Sequence, residues 1–491
     1  MQKRHLVRNA VAGIISFVVV FCVIFFGVQY FNKIGIFRVP GVVYYDESLN
    51  ESELAMFGEI FTDELDLDKD VIISATNYLE KPELMENEFL WQVFVPVTAF
   101  YSLETNIEAE TADELMIECN CGWELIDVNN LNNKDRLLRI NDRYYLDDFK
   151  SGAVFRVIKF DSELYNEEIK PLVVGAMTRE FPSKETVLTF AQTGVTAMSR
   201  GMNAKLYEVG DATYFAEEIG EFLSSFDLTH TSNESSFTDY ASTANICSDK
   251  RFMDTLVTIG LDIVELSGNH NQDCGNVAAS ETIDMYREKG IQIVGGGKTE
   301  TEAAVPLEIN VKNNNVTMLA FNESTGGATH GDTPGANQYY EDVAAWQIDE
   351  AKKRGDYVIV DVQYYECSAY ASTYEDPTCD RADSAAGDQV GFFRHLIDLG
   401  ADMVVGTSAH QPQTYELYGD GVIYYGLGNL FFDQYWWPGT TRSLILVHHF
   451  YHSNLLQTEI VPTVYDSNMQ TRLLDEETSK WFLQRLLSVR P

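Results

Sequence analysis

The segment Leu261-Asp-Ile-Val-Glu-Leu-Ser-Gly-Asn-His-Asn-Gln-Asp-Cys-Gly275 decides how the rest of the chain is interpreted. An apolar run that ends on Gly-Asn-His predicts a buried strand followed directly by a polar turn. The turn presents Asn269, His270 and Asp273 within five residues. Side chains of these types at a strand end can hold a metal ion or a phosphate. The segment is therefore the first candidate for a functional site.

The pattern around this segment alternates between short apolar strands and helices. The predicted strands are 186–191, 262–266, 291–294, 316–321, 357–362, 403–405 and 422–425. The predicted helices are 212–225, 277–288, 341–354 and 388–399. Such alternation predicts an α/β core, and the short apolar strands indicate sheets that are covered on both faces.

Clusters of polar residues fall repeatedly where the predicted strands end. They are 194–198, 232–234, 269–270, 363–366 and 406–413. In open α/β sheets, ligands bind outside the carboxyl ends of the strands. We therefore expect these clusters to form one shared site.

The N-terminus has the pattern of a membrane anchor. Lys3, Arg4 and Arg8 precede an apolar run from Ala10 to about Tyr30 that contains no charged residue. The run is long enough to span a bilayer, and its basic flank, residues 1–9, is expected to stay in the cytoplasm. A cleaved signal peptide is the alternative, but no small-x-small cleavage site follows the run. We expect a single-pass anchor at 10–31 in the cell membrane, with the bulk of the chain extracytoplasmic.

The length of 491 residues predicts two or three domains. A smaller α/β domain without an evident role is expected at 32–183, the main α/β domain at 184–465, and a C-terminal segment at 466–491. The net charge of -40, from 75 acidic and 35 basic residues, argues against nucleic acid as a partner. A solvated surface explains this acidity, and repulsion of a polyanionic product or retention of cations are the alternatives.

Six cysteines follow the apolar run, and an even number in an exported domain allows disulfides. Cys247 and Cys274 are one candidate pair, provided that their loops share a face. Cys367 and Cys379 are another, because they flank a loop-like stretch.

Four motifs in order make residues 186–465 resemble the CapA family of poly-gamma-glutamate capsule synthesis proteins. The motifs are Gly268–Gly275, Gly295–Gly297 with Glu302-Ala303, Gly400–His410 and Tyr424–Asp433. The family is related to calcineurin-like metallophosphoesterases. The resemblance implies a metallophosphoesterase-like layered sandwich of helices around mixed β-sheets.

The chain departs from the family pattern where the related phosphoesterases bind two metal ions. Val195 replaces the usual aspartate, and only Glu234 stays in register in Ser232-Asn-Glu234. Gln363 stands where a histidine is usual, and Gly406-Thr-Ser-Ala-His410 keeps one histidine of three. Several usual ligands are thus replaced, and the sequence leaves open whether the chain is an enzyme.

The remaining residues are the candidate site. The metal-ligand candidates are Asn269, His270, His410 and Glu234; the catalytic candidates are His270 and His410; and the substrate-binding candidates are Glu234, Gln363, Glu366 and Gln413. The expected cofactor is one divalent ion (Mn, Zn or Fe) or none. Each residue also has a structural interpretation as a turn cap or a member of a buried network, which is favoured for Gln363, Gln413 and Asp273. Histidines 230, 330, 395, 448, 449 and 452 lack a comparable context.

The resemblance implies a bacterial cell-envelope protein that acts in the biosynthesis or export of poly-gamma-glutamate or a similar anionic capsule polymer. The implied partners are the membrane, the polymer and a membrane synthase or export complex. Two alternatives stay open. One is a metal-dependent phosphoesterase or peptide hydrolase acting on cell-envelope material, and the other is a non-catalytic binding or scaffold protein.

Overall fold

The computed structural model describes residues 42–62, 67, 70–117, 121–163, 165–323, 326–364, 373, 376 and 388–491. The predicted anchor at 10–31, Glu366, Cys367 and Cys379 lie outside these residues. Within the described part of the chain, no helix combines the length and apolar character that crossing a bilayer requires. The chain divides into two compact units, the first in 1–94, 109–118 and 150–181 and the second in 95–108, 119–149 and 182–491.

The described part of residues 42–181 contains eight strands and four short α-helices. The strands are β1 (Val43–Tyr45), β2 (Val71–Tyr78), β3 (Glu88–Ala99), β4 (Asn106–Ile107), β5 (Glu124–Asp127), β6 (Asp135–Leu137), β7 (Arg139–Ile140) and β8 (Val154–Asp161). The helices are α1 (Glu51–Ile60), α2 (Ala112–Leu115), α3 (Tyr145–Asp148) and α4 (Lys170–Met177).

The first unit is built on β2, β8 and the first part of β3, which pair antiparallel, with β1 parallel to β2 at the edge. Helix α1 begins with a capping box, in which Asn50 accepts from the Glu53 backbone N–H and Glu53 accepts from the Asn50 N–H. The buried Glu53 carboxylate also accepts two hydrogen bonds from Arg156 of β8, at 2.5 and 2.7 Å. A buried ion pair thus joins helix and sheet.

Residues 182–491 supply most of the second unit. The strands are β9 (Leu188–Ala197), β10 (Leu228–Asn233), β11 (Phe237–Thr238), β12 (Ser248–Asp249), β13 (Ile263–Glu265), β14 (Gln292–Val294), β15 (Gly296–Gly297), β16 (Leu307–Val311), β17 (Asn314–Asn322), β18 (Gly335–Ala336), β19 (Tyr357–Gln363), β20 (Met403–Gly406), β21 (Tyr415–Tyr418), β22 (Gly421–Tyr424), β23 (Asn429–Phe432), β24 (Arg442–Tyr451), β25 (Asn454–Tyr465) and β26 (Thr471–Leu473). The helices are α5 (Gly201–Val209), α6 (Gly220–Leu223), α7 (Met253–Thr258), α8 (Gly275–Glu288), α9 (Glu300–Ala303), α10 (Glu341–Arg354), α11 (Gln389–Asp398) and α12 (Glu476–Ser488).

Two mixed sheets form the core of the second unit. The first has the order β14-β13-β10-β9-β24-β25-β26, with β23 also paired to β9, and the second has the order β16-β17-β19-β20-β22-β21. One apolar cluster includes residues of both sheets, such as Phe190 and Met318. Two more clusters pack α5–α8 on the first sheet and α10 and α11 on the second. Both sheets are therefore covered on both faces, and the predicted mixed α/β class is confirmed.

The predicted helix at 212–225 is wrong as a continuous element. Residues Ala212–Ala216 form a 3-10 helix capped by Asp211, and only Gly220–Leu223 is α-helical. The Thr255 hydroxyl of α7 donates to the Ala212 carbonyl at 2.6 Å. Packing and capping contacts thus override the helical periodicity of this segment.

Candidate functional site

The carboxyl ends of parallel strands from both sheets meet at one edge of the second unit. Asn322, the last residue of β17, donates through its side chain to the Ser267 carbonyl after β13 at 2.8 Å. The Gln363 side-chain N–H at the end of β19 donates to Asn269 Oδ1 at 3.1 Å. These contacts join the two sheets, so the loops after β13 and β19 share one site.

Glu234 and His410 approach each other in the same region. Glu234 follows β10, His410 follows β20, and both are buried. The His410 Nε2 atom lies 3.8 Å from Glu234 Oε2, and its Nδ1 lies 2.8 Å from Asn429 Oδ1. The Asn429 contact therefore directs the other ring nitrogen of His410 toward the Glu234 carboxylate.

Gly268 links this pair to the Asn269 loop. A β-carbon at Gly268 would lie 2.9 Å from Glu234 Cγ and 3.0 Å from its Cα. Only a glycine allows the two loops to come this close. The structure thus places Glu234, Asn269, Gln363 and His410 around one location.

His270 and Gln413 lie in other surroundings. His270 is about a quarter exposed, and its Nδ1 lies 2.8 Å from Asp273 Oδ2 within the same turn. The buried Gln413 accepts a hydrogen bond from Gln389 Nε2 at 3.1 Å. The predicted functional roles of His270 and Gln413 remain predictions.

Several buried polar atoms at these strand ends have no hydrogen-bond partner among the described residues, and three of them bear on the candidate site. They are Gln363 Oε1, Thr407 Oγ1 and Ser408 Oγ, which accept or donate no hydrogen bond among the described residues. Their residues are at most 1% exposed. Buried polar groups are ordinarily hydrogen-bonded, so each atom requires an explanation. A bound ligand that contacts these atoms would provide one.

The sequence interpretation missed a buried polar network between the two sheets. His230 Nε2 lies 3.2 Å from Asp361 Oδ2, and Gln192 Nε2 donates to Asp361 Oδ1 at 2.6 Å. His448 Nε2 lies 3.2 Å from the Gln192 Oε1 atom. His230 and His448 thus belong to a buried network that the sequence pattern did not indicate. For His448 the signal in the sequence is a polar side chain after the apolar run of β24, whereas His230 lies in a strand that is largely polar.

The titration of two buried groups is shifted in this region. Burial, and next the Asp361 carboxylate, raise the pKa of the Glu265 carboxyl. Burial lowers the pKa of His448 to about 3, with His449 and His230 acting in the same direction. His448 is therefore neutral at physiological pH.

The two-metal set of the related phosphoesterases does not fit the residues present. The described ranges contain no group of three His, Cys, Asp or Glu side chains placed to hold an ion. Glu234 Oε2 and His410 Nε2 are the one candidate pair for a single cation that the geometry above provides. Glu366, the other predicted oxygen donor, lies outside the described residues.

A disulfide holds the candidate loop from one side. Cys247 and Cys274 are bonded, with Cα atoms 5.8 Å apart, and Cys274 directly precedes α8. The prediction of this pair is confirmed. The bond fixes the end of the turn that begins with Asn269 and His270.

Comparison with known proteins gives one family for the second unit. The family model described as "Bacterial capsule synthesis protein PGA_cap" matches residues 189–434. Capsule biosynthesis protein CapA of Bacillus anthracis is 28% identical over 239 residues, which cover 45% of this chain and 55% of that protein. PGA biosynthesis protein CapA of Bacillus subtilis is 28% identical over 219 residues, covering 44% and 54%.

A probable polyglutamine synthesis accessory protein of Mycobacterium tuberculosis is 30% identical over 185 residues, covering 35% of this chain and 45% of that protein. The chain thus spans about half the length of the curated relatives it matches. The matched residues 189–434 include every candidate site residue.

Proposed function

Since the chain belongs to the bacterial capsule synthesis protein family PGA_cap, we propose that it acts in the synthesis or export of an anionic capsule polymer of the poly-gamma-glutamate class. The relatives named above are described as capsule, PGA or polyglutamine synthesis proteins. In this proposal the second unit is metallophosphoesterase-like in fold, and the polymer binds at the strand-end site. A membrane synthase or export complex is the proposed partner.

The observation that carries the proposal is the group of buried polar atoms without a protein partner at the strand ends. Gln363 Oε1 can only accept a hydrogen bond, while the Thr407 and Ser408 hydroxyls can donate. A gamma-linked glutamate unit offers both an amide N–H and a carboxylate. The amide N–H would donate to Gln363, and the carboxylate would accept from the two hydroxyls. Such a ligand would satisfy all three atoms.

The proposed location is the outer side of the cell membrane, with the chain held by a helix at 10–31. The Cys247–Cys274 disulfide supports an extracytoplasmic position, because disulfides persist in oxidising compartments. The uninterrupted apolar run after Lys3, Arg4 and Arg8 supports the anchor.

Complementation of a strain that lacks this gene tests the proposal. Ser408→Ala with Thr407→Val removes two hydroxyls that form no hydrogen bond among the described residues, so the stability of the folded chain should be unchanged or higher. We expect the double variant to accumulate normally but to restore less than a tenth of the surface polymer. Ser488→Ala, which removes an exposed hydroxyl on α12, is the matched control and should restore the polymer fully. Full restoration by the double variant would refute the proposed binding site.

A single divalent cation between Glu234 and His410 is a second candidate function for the same region. Their separation of 3.8 Å allows both atoms to contact one ion, and a carboxylate with an imidazole suits Mn, Zn or Fe. In this alternative the chain would be a metal-dependent hydrolase of envelope material. The Cys247–Cys274 loop and Asn429 would keep the donors in place.

Metal analysis of the purified full chain tests this alternative. It predicts about one bound Mn, Zn or Fe per chain, which His410→Asn abolishes and the control His452→Asn retains. If the wild-type chain binds no metal after incubation with each ion, the alternative fails, and a non-catalytic binding role is left for the site.

A further inference from the structure

A cavity lies in the second unit. None of its lining residues belongs to the strand-end site or to the residues that the family model matches. The cavity has a volume of about 220 Å³. Its walls come from residues 103–144, on and around β6 and β7, and from 457–483, on β25 and α12. Neither range overlaps 189–434, so the family comparison assigns no role to this cavity.

Three cations line the cavity without a carboxylate partner. Arg136 belongs to β6, Arg139 to β7 and Lys480 to α12. None of the three forms an ion pair with another described residue, although acidic residues outnumber basic ones by 75 to 35 in the chain. Most other described cations of the second unit form an ion pair with a carboxylate, as Lys312 does with Asp227 and Arg394 with Glu416. An anion from outside the chain would be the natural partner for these three.

The carboxylates at the same cavity do not neutralise these cations. Glu459 lies 2.8 Å from His449 Nε2 and is therefore already engaged. Glu476 is at the first position of α12, where the helix dipole favours a negative charge. Arg139 also lies over the Tyr144 ring, at 5.6 Å from its centroid. This contact orients the guanidinium but leaves its N–H groups available.

The rest of the lining favours an anion that carries hydrocarbon. Apolar side chains also line the cavity, namely Leu103, Leu137, Tyr144, Ile460, Val461 and Leu483. The cavity volume of about 220 Å³ is enough for a small organic molecule or for one end of a polymer chain. A guanidinium can bind a carboxylate with two parallel hydrogen bonds.

Contacts within the protein keep the cavity walls in place. The Leu137 backbone N–H donates to Gln457 Oε1 at 2.9 Å, and the Arg139 N–H donates to the Thr105 carbonyl at 2.8 Å. The strands that carry both arginines are therefore fixed to β25 and to the segment before β4. Because these walls are already ordered in the free protein, binding of a ligand does not incur the entropic cost of ordering them.

We propose that this cavity binds an organic dicarboxylate, with Arg136 and Arg139 on one acidic group and Lys480 on the other. The ligand is either a free small dicarboxylate or a glutamyl unit of an acidic polymer, since both present carboxylates joined by a short hydrocarbon. The site does not depend on the strand-end site, and either can fail alone.

Isothermal titration calorimetry on the full chain in detergent micelles tests the proposal. The probes are glutarate, a tripeptide of gamma-linked glutamate, and inorganic phosphate. Binding of glutarate identifies a small dicarboxylate as the source, and binding of the tripeptide alone identifies a polymer end. Both results support the proposal. The proposal is overturned if neither organic probe binds, or if phosphate binds as tightly as the organic probes do.

Variants locate the binding. Arg136→Gln and, separately, Lys480→Gln should each weaken binding at least tenfold. Lys480 is exposed, so its replacement leaves the fold intact even if Arg136→Gln does not. Lys353→Gln, at an exposed and paired lysine of α10, is the matched control and should change affinity less than twofold. If Lys480→Gln binds the organic probes as tightly as the wild type does, the proposed site is wrong.

Discussion

Replacing both cysteines of the Cys247–Cys274 disulfide with serine should loosen the turn that carries Asn269 and His270. The bond closes a segment with a sequence separation of 27 residues. For a loop of this length, the entropy that the cross-link removes from the unfolded chain corresponds to about 3.5 kcal/mol at 25 °C. The double variant should lose roughly this amount of local stability in α8, which begins directly after Cys274.

Amide hydrogen exchange of the full chain measures the effect segment by segment. Exchange in α8 should become faster by roughly two to three orders of magnitude, because about 1.4 kcal/mol of local stability corresponds to a factor of ten in the exchange rate. Helix α10 packs on the other sheet and is the internal control, which should change little. Reduction of the wild-type chain should reproduce the effect, and reduction of the double variant should add nothing. Equal α8 exchange in the oxidised wild type and the double variant would refute the reasoning.

Three further predictions concern the site and the cores of the two units. Gly268→Ala should displace Glu234, because the added β-carbon would lie 3.0 Å from the Glu234 Cα atom, and polymer synthesis should fall at least tenfold in the complementation assay. Glu53→Gln should lower the free energy of unfolding of the first unit by about 3–5 kcal/mol, since it leaves Arg156 charged and buried without its partner; urea titration measures this. The pKa of His448 is about 3 in the folded chain and 6.5 in the unfolded chain, so the free energy of unfolding of the wild type should fall by about 2 kcal/mol between pH 7 and pH 5. His448→Gln should remove this pH dependence of stability.

Each of these predictions has a control and a contrary outcome. Gly58→Ala places a β-carbon in open space on an exposed position of α1 and should leave polymer synthesis unaffected. Glu86→Gln removes an exposed ion pair with Lys170 and should leave the free energy of unfolding of the first unit nearly unchanged. For His448, the folded pKa lies below the unfolded value, so stability is complete above pH 6.5 and falls as the pH drops toward 3. A wild type and a His448→Gln variant with parallel pH profiles would contradict the assignment.

The sequence predicted the central strands and the longest helices of the second unit. The predicted helix 341–354 agrees with α10, because the spacing of its apolar residues marks the face that packs on the sheet. The predicted strand 357–362 agrees with β19, because a short run of apolar residues indicates a buried strand. It did not predict α12, which packs Phe482, Leu483 and Leu486 against the core. Nor did the pattern indicate that residues 95–108 and 119–149 pack within the second unit.

The candidate site was predictable as a place but not as a set of contacts. Strand ends indicate where side chains gather, and Asn269 and Gln363 do meet. Which way a side chain turns depends on neighbours far apart in sequence, so the sequence could not show that His410 approaches Glu234. The pair of His230 and Asp361 was hidden for the same reason, since these residues belong to different sheets.

The central claim is that the strand-end loops of the second unit bind the capsule polymer. Hydrogen exchange of the full chain with and without a gamma-linked glutamate oligomer tests this proposal. The chain also carries Arg136→Gln and Lys480→Gln, which remove two of the three cations of the other proposed binding site. We predict slower exchange at 232–236, 267–272 and 406–411, and no such slowing after Ser408→Ala with Thr407→Val. Unchanged exchange in all three loops at a saturating oligomer concentration would contradict the claim.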